Sequence, residues 1–118
     1  MNVKRIIPEI VSTNVEATRA FYCDLLGLQV DMEEGAFLMM SSTTEPSAQL
    51  IVNDNGHAGL PPGFAIDIED PDKVQSLYTE FIRRGFPIVE LLADKTWGIR
   101  RFSVIDPNGV RVTVISHM

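Results

Sequence analysis

The sequence of 118 residues contains one cysteine and two histidines. Because Cys23 is the only thiol, an internal disulfide is impossible, and so is a metal or iron–sulfur site built from several cysteines. A disulfide-stapled secreted scaffold is therefore excluded, and we expect a reducing, cytoplasmic environment. Neither His57 nor His117 has a second metal ligand at suitable spacing beside it, so we interpret both as exposed side chains without a role.

Basic residues and long apolar runs are also scarce. The chain has 10 Lys and Arg against 16 Asp and Glu, a formal charge of −6 and a pI near 4.7. Nucleic acid is therefore excluded as a partner, because binding it requires clustered basic side chains. No apolar run approaches the roughly 20 residues of a membrane span, and the start of the chain turns polar too early for a signal peptide. We predict a soluble protein with no membrane partner.

The first half of the chain predicts one strand, one helix and three further strands. A β-branched segment at 6–12 is followed by Asn14, a residue type that caps helices. Gly27 stands where a left-handed helix end is expected. Short strands are predicted at residues 28–30, 36–40 and 48–52. The helix is indicated by apolar positions three and four residues apart: Val15, Thr18, Phe21, Tyr22, Leu25 and Leu26.

The second half repeats this order after a loop at 53–63 that is rich in Gly, Pro and Asn. A strand is predicted at Phe64–Ile68, then a cap near Asp70, a helix closed by Gly85, and strands at 87–91, 100–105 and 110–115. Asp106-Pro107-Asn108-Gly109 predicts a tight turn between the last two strands. An offset that aligns Gly27 with Gly85 also aligns Asn14 with Asp72.

We therefore predict a single α+β domain over residues 1–118, made of two tandem βαβββ modules. Module 1 comprises residues 1–53, the linker residues 54–63, and module 2 residues 64–118. One helix covers only one face of a four-stranded sheet. We expect the modules to pair into a curved mixed sheet around a cup, which would be the binding site.

Two segments resemble the vicinal oxygen chelate superfamily, which includes glyoxalase I, extradiol dioxygenases and bleomycin resistance proteins. They are FYCDLLGLQV at 21–30 and WGIRRFSVIDPNGVRVTVI at 97–115. The resemblance implies the glyoxalase/bleomycin resistance fold. In the metal-dependent relatives, four inward-facing strand positions carry His, Glu or Gln around a divalent ion that polarises substrate oxygens.

Carried over by spacing, those positions do not supply a metal site here. The first falls on Ile7, the second on Gln49 or Leu50, the third on Phe64 or Ile66, and the fourth on Thr113. At best one family-type ligand remains, and one ligand does not hold a metal. The resemblance then points to the metal-free branch, in which bleomycin resistance proteins sequester a drug in the clefts of a dimer.

The leading hypothesis is a homodimeric, cofactor-free protein that sequesters or carries an aromatic or amphipathic small molecule. The alternatives are a glyoxalase-like lyase or dioxygenase-type metalloenzyme with non-standard ligands, and a metal-free isomerase that uses Glu9 as its base. The candidate ligand-binding residues share an inward or pocket-mouth position. They are Ile7, Glu9, Phe37, Met39, Gln49, Phe64, Trp97, Arg101, Ser103 and Thr113.

Several candidates have a second, structural interpretation. Glu9 shares the face of Ile7, where a buried carboxylate without a partner would act as a base, but it could equally pair with an arginine or lie in water. Strand alternation turns one of Arg100 and Arg101 inward; we choose Arg101, either to grip a ligand or to form a salt bridge. Trp97 could close the pocket mouth or lie in the core or dimer interface. Cys23 is interpreted as a buried, inert thiol.

Overall fold

The computed structural model describes residues 1–53 and 61–118. The chain divides into two compact units. We call Ile7–Pro62 the N-terminal unit, and Met1–Ile6 together with Gly63–Met118 the C-terminal unit. The first strand, β1 (Val3–Val11), contributes its start to the C-terminal unit and the rest to the N-terminal unit.

The N-terminal unit has the predicted strand, helix and three strands. Its strands lie in the order β2-β3-β4-β1, with β1 parallel to β4 and the other pairs antiparallel. After β1 come helix α1 (Val15–Arg19), a π-helix (Ala20–Leu25), β2 (Gln29–Glu34), β3 (Phe37–Ser41) and β4 (Gln49–Asn53).

The C-terminal unit repeats the arrangement. Its strands lie in the order β5-β8-β7-β6, with β5 parallel to β8, and the start of β1 lies beside β5. The elements are β5 (Gly63–Ile68), α2 (Pro71–Arg83), β6 (Ile88–Asp94), β7 (Ile99–Ile105) and β8 (Arg111–His117). The predicted α+β fold with mixed strand pairing is confirmed. In the part of the chain that the structure describes, no helix is long and apolar enough to cross a membrane.

Both helices begin and end at the predicted residue types. Asn14 accepts a hydrogen bond from Ala17 N, and Asp70 accepts one from Asp72 N. Gly27 and Gly85 follow the helices with φ of 82° and 81°, a left-handed conformation that glycine adopts without strain. The alignment of Asn14 with Asp72 is wrong by two residues, because α2 has 13 residues whereas α1 has 5 and the π-helix 6.

The first helix buries fewer of its apolar residues than predicted. Phe21, Leu25 and Leu26 are 53%, 77% and 63% exposed. A π-turn holds more residues than an α-turn, so every side chain after Arg19 is rotated from its α-helical position. Tyr22 and Cys23 pack on the core instead, and Cys23 Sγ lies 3.6 Å from Met40 Sδ. The thiol is half-buried, rather than buried as predicted.

Each unit packs one face of its sheet against its helix. In the C-terminal unit the core under α2 contains Ile68, Val74, Phe102, Val104 and Val114. In the N-terminal unit the corresponding core contains Leu38, Met40 and Val52, with Val15 and Tyr22 from the helix side packed against it. Because side chains alternate along a strand, the neighbours of these residues lie on the opposite face.

The exposed end of α2 gives a pH-dependent contribution to stability. Arg83 and Arg84 donate hydrogen bonds to Glu80 and lower its pKa from 4.5 to about 2. Because the folded pKa lies below the unfolded value, the stabilisation is complete above pH 4.5 and is lost as the pH falls towards 2.

We expect Glu80→Gln to lower the melting temperature slightly at neutral pH, since exposed ion pairs contribute little. The difference in melting temperature from the unsubstituted protein should shrink as the pH falls from 4.5 towards 2, and also in high salt. Thermal unfolding followed by circular dichroism at several pH values measures this. Glu34→Gln, at an exposed position on β2, is the control; an equal acid dependence for both variants would contradict the assignment.

Candidate functional site: the polar sheet face of the C-terminal unit

The sheet of the C-terminal unit carries a row of polar side chains on the face opposite α2. Strand pairing places Ser103 opposite Thr113 and Thr113 opposite Ala65. Paired residues share a face, and Phe102 and Val114 belong to the core on the other side. We call this surface the polar face. Its polar members are Asp67, Glu90, Arg101, Ser103, Arg111 and Thr113.

Hydrogen bonds connect five of these side chains. Arg101 Nε donates to Glu90 Oε1 at 2.8 Å, and Ser103 Oγ donates to the same oxygen at 3.2 Å. Ser103 Oγ and Thr113 Oγ1 are 2.8 Å apart. Arg111 Nη1 donates to Thr113 Oγ1 at 3.3 Å. The chain thus brings two guanidinium groups, two hydroxyls and a carboxylate into one network.

Four of the five side chains in this network are buried, and the Glu90 side chain is 22% exposed. Ser103 and Thr113 are fully buried, and Arg101 and Arg111 are 4% and 1% exposed. Arg101 Nη2 is inaccessible to water and has no hydrogen-bond partner among residues 1–53 and 61–118. A buried donor without an acceptor costs about 1–3 kcal/mol, and more when it is charged. Such a group in a native fold calls for an explanation, and an acceptor that reaches it when the covering side chains move is one.

The neighbouring Arg100 points to the other face, as alternation predicts. Its Nε donates to Asp94 Oδ1 at 2.7 Å and its Nη1 to the carbonyl of Pro71 at 3.4 Å. The Arg100 guanidinium lowers the pKa of Asp94. The choice of Arg101 as the residue that shares a face with Ser103 and Thr113 is confirmed. Its salt bridge to Glu90 agrees with the structural interpretation, while the grip of a ligand by Arg101 stays a prediction.

The candidates from the N-terminal unit also lie opposite their helix. Pairing places Glu9 opposite Ile51, and Ile51 opposite Met39. Gln49 Nε2 lies 3.9 Å from Met39 Sδ. Leu50 packs instead on the core, so the second family position falls on Gln49. Ile7 and Phe37 share this face by alternation with Glu9 and Met39; Ile7 is fully buried.

Glu9 is buried, with 4% exposure, but it takes part in an interaction with the rest of the chain. The prediction of a catalytic base required a buried carboxylate without a partner. Only the first half of that condition is met. Of the two alternatives, a position in water is wrong for a residue this buried, and pairing with an arginine stays a prediction.

Phe64 lies on the wrong face for the predicted role. It pairs with Val112, and Ile66 pairs with Val114, on the side of the α2 core. The residue that shares a face with Thr113 is Ala65. A shift of one residue reverses a strand's faces, and the spacing across the preceding loop did not determine the register of β5. The third family position therefore falls on Ala65 instead of Phe64 or Ile66.

Two further predictions concern residues near chain turns and ends. Trp97 is 39% exposed and precedes Gly98, so it is not a core residue; a role at a pocket mouth or interface stays a prediction. The side chain of His117 is 61% exposed, but its Nδ1 lies 3.7 Å from Asp67 Oδ2, so it is more than an isolated surface group. His57 and most of the predicted linker lie outside the described residues.

Sequence reasoning missed three members of the polar face: Asp67, Glu90 and Arg111. Asp67 and Glu90 each interrupt an apolar strand segment, FAIDI and IVELL. A charged residue inside such a segment is a signal that was available, because buried charges need partners. Arg111 follows the tight turn at residues 106–109, and no role for it was predicted from the sequence.

Comparison with known families decides the evolutionary assignment. A family model of the Glyoxalase/Bleomycin resistance protein/Dioxygenase superfamily matches residues 5–114. The chain belongs to this superfamily. No curated protein matches the sequence. The superfamily assignment confirms the resemblance of the two segments at 21–30 and 97–115.

Solved structures share the superfamily fold at low identity. A protein described as an NAD-dependent benzaldehyde dehydrogenase from Legionella pneumophila has a TM-score of 0.71 and 14% identity, over 96% of this chain and 99% of its own. A superfamily member from Vibrio splendidus 12B01 has a TM-score of 0.70 and 18% identity, over 95% and 97%. Homoprotocatechuate 2,3-dioxygenase from Brevibacterium fuscum has a TM-score of 0.73 and 22% identity, over 99% of this chain but 33% of its own. These likenesses show the fold.

The superfamily's metal positions do not fit a divalent ion in this chain. In the N-terminal unit they fall on Ile7 and Gln49, and in the C-terminal unit on Ala65 and Thr113. Ile and Ala have no donor atom, and an amide and a hydroxyl without a carboxylate, imidazole or thiolate are weak ligands. Within the described parts of the chain, no three His, Cys, Asp or Glu side chains are grouped as metal ligands.

Proposed function

We propose that this superfamily member is a metal-free small-molecule-binding protein that holds an oxygen-bearing ligand through Arg101. The observation that supports it is the buried Nη2 of Arg101, which has no acceptor in the described chain. Glu90 occupies Nε of the same guanidinium, which fixes its orientation. A planar guanidinium held in this way presents its Nη2 hydrogens to a carboxylate or carbonyl oxygen.

The side chains at the metal positions support the same proposal. Thr113 lies where the superfamily places a metal ligand, and its hydroxyl is held between Ser103 and Arg111. The hydroxyl protons of Ser103 and Thr113 are used within the network, so the donor that takes the place of an ion toward ligand oxygens is Arg101. Phe37 and Met39 of the N-terminal unit are half-buried on the face opposite its helix, and their part in binding an aromatic or amphipathic ligand stays a prediction. The homodimer stays a prediction, which light scattering tests.

The proposal predicts that Arg101 controls affinity for carboxylates. We expect Arg101→Gln to weaken binding of aromatic acids found in a thermal-shift screen by about tenfold to hundredfold, since a hydrogen bond to a charged group contributes about 1.5–3 kcal/mol. Arg101→Lys keeps the charge but not the planar fork, and should lose an intermediate amount. Isothermal titration calorimetry measures both.

Arg100→Gln is the matched control. It removes the adjacent guanidinium, which pairs with Asp94 on the opposite face, so affinity should stay within about twofold. Equal affinity of the Arg101 and Arg100 variants would overturn the proposal. Circular dichroism of each variant separates lost binding from lost folding.

The enzymatic alternatives predict different results. A metalloenzyme with non-standard ligands would retain near-stoichiometric Ni, Zn, Mn or Fe(II) after soaking and desalting, as read by mass spectrometry of the metals. We expect none to be retained. For a metal-free isomerase, Glu9→Gln would abolish turnover of a bound compound while leaving its binding intact; that result would contradict a pure binding role.

A further inference from the structure

A second buried polar group on the polar face lacks a partner atom. Asp67, 2% exposed, receives two hydrogen bonds from Arg5 on its Oδ2: from Nε at 2.9 Å and from Nη2. His117 Nδ1 lies 3.7 Å from the same oxygen. Oδ1 is inaccessible to water and has no hydrogen-bond partner in the chain as described, with residues 54–60 left aside. Within the described chain, Asp67 Oδ1 is therefore a buried acceptor without a donor, and a ligand reaches it only when the side chains that cover it move.

The register of the sheet places Asp67 and Arg101 on one line. Asp67 pairs with Ile115 across β5 and β8, and Ile115 pairs with Arg101 across β8 and β7. Paired residues share a face, so all three side chains lie on the polar face. Adjacent strands are about 4.8 Å apart, which puts the Cα atoms of Asp67 and Arg101 roughly 10 Å apart. The acceptor Asp67 Oδ1 and the donor Arg101 Nη2, both unpartnered among the described residues, thus belong to residues on either side of Ile115.

We propose that Asp67 is a second ligand subsite and that the ligand is a hydroxycarboxylic acid whose two polar groups are separated by an apolar segment. Its carboxylate accepts from Arg101 Nη2, its apolar segment crosses Ile115, and its hydroxyl donates to Asp67 Oδ1. This inference rests on the proposed function, since it requires Arg101 to bind the acid.

The hydroxyl is favoured over an ammonium group by the charge around Asp67. Arg5 already supplies a cation to this carboxylate through two N–H groups on one oxygen. A second cation in the same buried place would have to be desolvated while facing Arg5. A neutral hydroxyl supplies the missing donor without that charge repulsion.

Matched pairs of acids test the subsite. We choose para-hydroxybenzoate with benzoate, and omega-hydroxyhexanoate with hexanoate, titrated calorimetrically into the full chain. In at least one pair the hydroxylated acid should bind about tenfold or more tightly than its partner, because its hydroxyl gains a charged acceptor that is otherwise unsatisfied. Asp67→Leu should reduce the ratio within that pair to about one while leaving the affinity for the unhydroxylated acid within a few-fold.

Two further variants keep the test decisive. Arg5→Met/Asp67→Leu replaces both members of the ion pair, of which Arg5 is 29% exposed and Asp67 is buried, by apolar side chains. Proteins often tolerate such a replacement, so this variant serves if Asp67→Leu does not fold. Arg5→Lys keeps Asp67 and a cation, so the hydroxyl preference should persist. Acids that bind equally well in both pairs, or a preference that survives Asp67→Leu, would overturn the subsite and leave the proposed function standing. If none of the four acids binds, the subsite is overturned as well. If Arg101→Gln in addition has no effect on any ligand from the screen, the proposed function itself fails.

Discussion

Replacing Gly63 by alanine is expected to destabilise the protein by at least about 3 kcal/mol, at or beyond the upper end of overpacking costs. Gly63 opens β5 and pairs with Arg111 of β8. A Cβ at this position would lie 1.7 Å from the Arg111 carbonyl oxygen and 2.7 Å from its carbon. These atoms belong to backbone, so no side-chain rotation relieves the clash. The two parallel strands must separate locally, and urea denaturation measures the loss.

Gly98→Ala is the control for this prediction. Gly98 has a φ of 86°, and among the described residues no atom beyond its chain neighbours lies within 4 Å of the point that a Cβ would occupy. Alanine there meets conformational strain but no clash, and such strain costs about 1–2 kcal/mol. If Gly63→Ala is no less stable than Gly98→Ala, the close approach of β5 and β8 is wrong. A Gly63→Ala protein that still folds should also bind acids more weakly. Its β8 is displaced at Arg111, and both Arg111 and Thr113 lie on that strand.

The parts of the fold that were predicted correctly depend on nearby residues. The turn between β7 and β8 is an example: Asp106 Oδ1 accepts hydrogen bonds from Asn108 N and Val110 N, both at 2.8 Å, which lowers the pKa of Asp106. Gly109 completes the turn with a φ of 82°. Everything that this turn requires lies within four residues, so the sequence pattern was sufficient. The helix caps at Asn14 and Asp70 are local in the same way.

The parts that were missed depend on partners distant in sequence. Phe64 and Ala65 are equally compatible with either face of β5 until the pairing with Val112 and Thr113 is known. The salt bridge from Arg101 to Glu90 joins β7 to β6. The pairing register of these two strands shifts on both sides of Glu90, so simple alternation along β6 does not predict the bridge. The π-helix likewise has no signature in the apolar spacing, and the exposure of Phe21 followed from it.

The evidence on function also divides into what nearby residues show and what pairing between distant strands shows. The superfamily fold is compatible with lyases, oxygenases and binding proteins, so the fold alone selects none of them. The identities of Ile7, Gln49 and Thr113 were readable from the sequence and argued against a metal. The positive evidence, two buried polar atoms on one line across Ile115, required strand registers that only the structure supplies. The proposed ligand chemistry therefore depends on β5, β7 and β8 having the pairing described.

Phe102→Ala provides a test of that pairing from the opposite face of β7. Phe102 is fully buried, with its ring centroid 5.2 Å from that of Tyr78 and 6.0 Å from that of Phe81. Removing a buried phenylalanine ring leaves a cavity that typically costs about 3–5 kcal/mol. We expect a loss of this size in urea denaturation. Phe21→Ala, the same change at a residue that is 53% exposed, should cost less than about 1 kcal/mol.

The two faces of β7 should respond independently to this substitution. Phe102 lies between Arg101 and Ser103 in sequence, yet its side chain packs under α2 while theirs lie on the polar face. At a temperature where Phe102→Ala remains folded, its affinity for acids should therefore stay within a few-fold of the unsubstituted value. Phe102→Leu, which fills more of the cavity, serves if the alanine variant is too unstable. A small stability loss combined with a large loss of binding would place Phe102 on the ligand side and reverse the assignment of faces along β7.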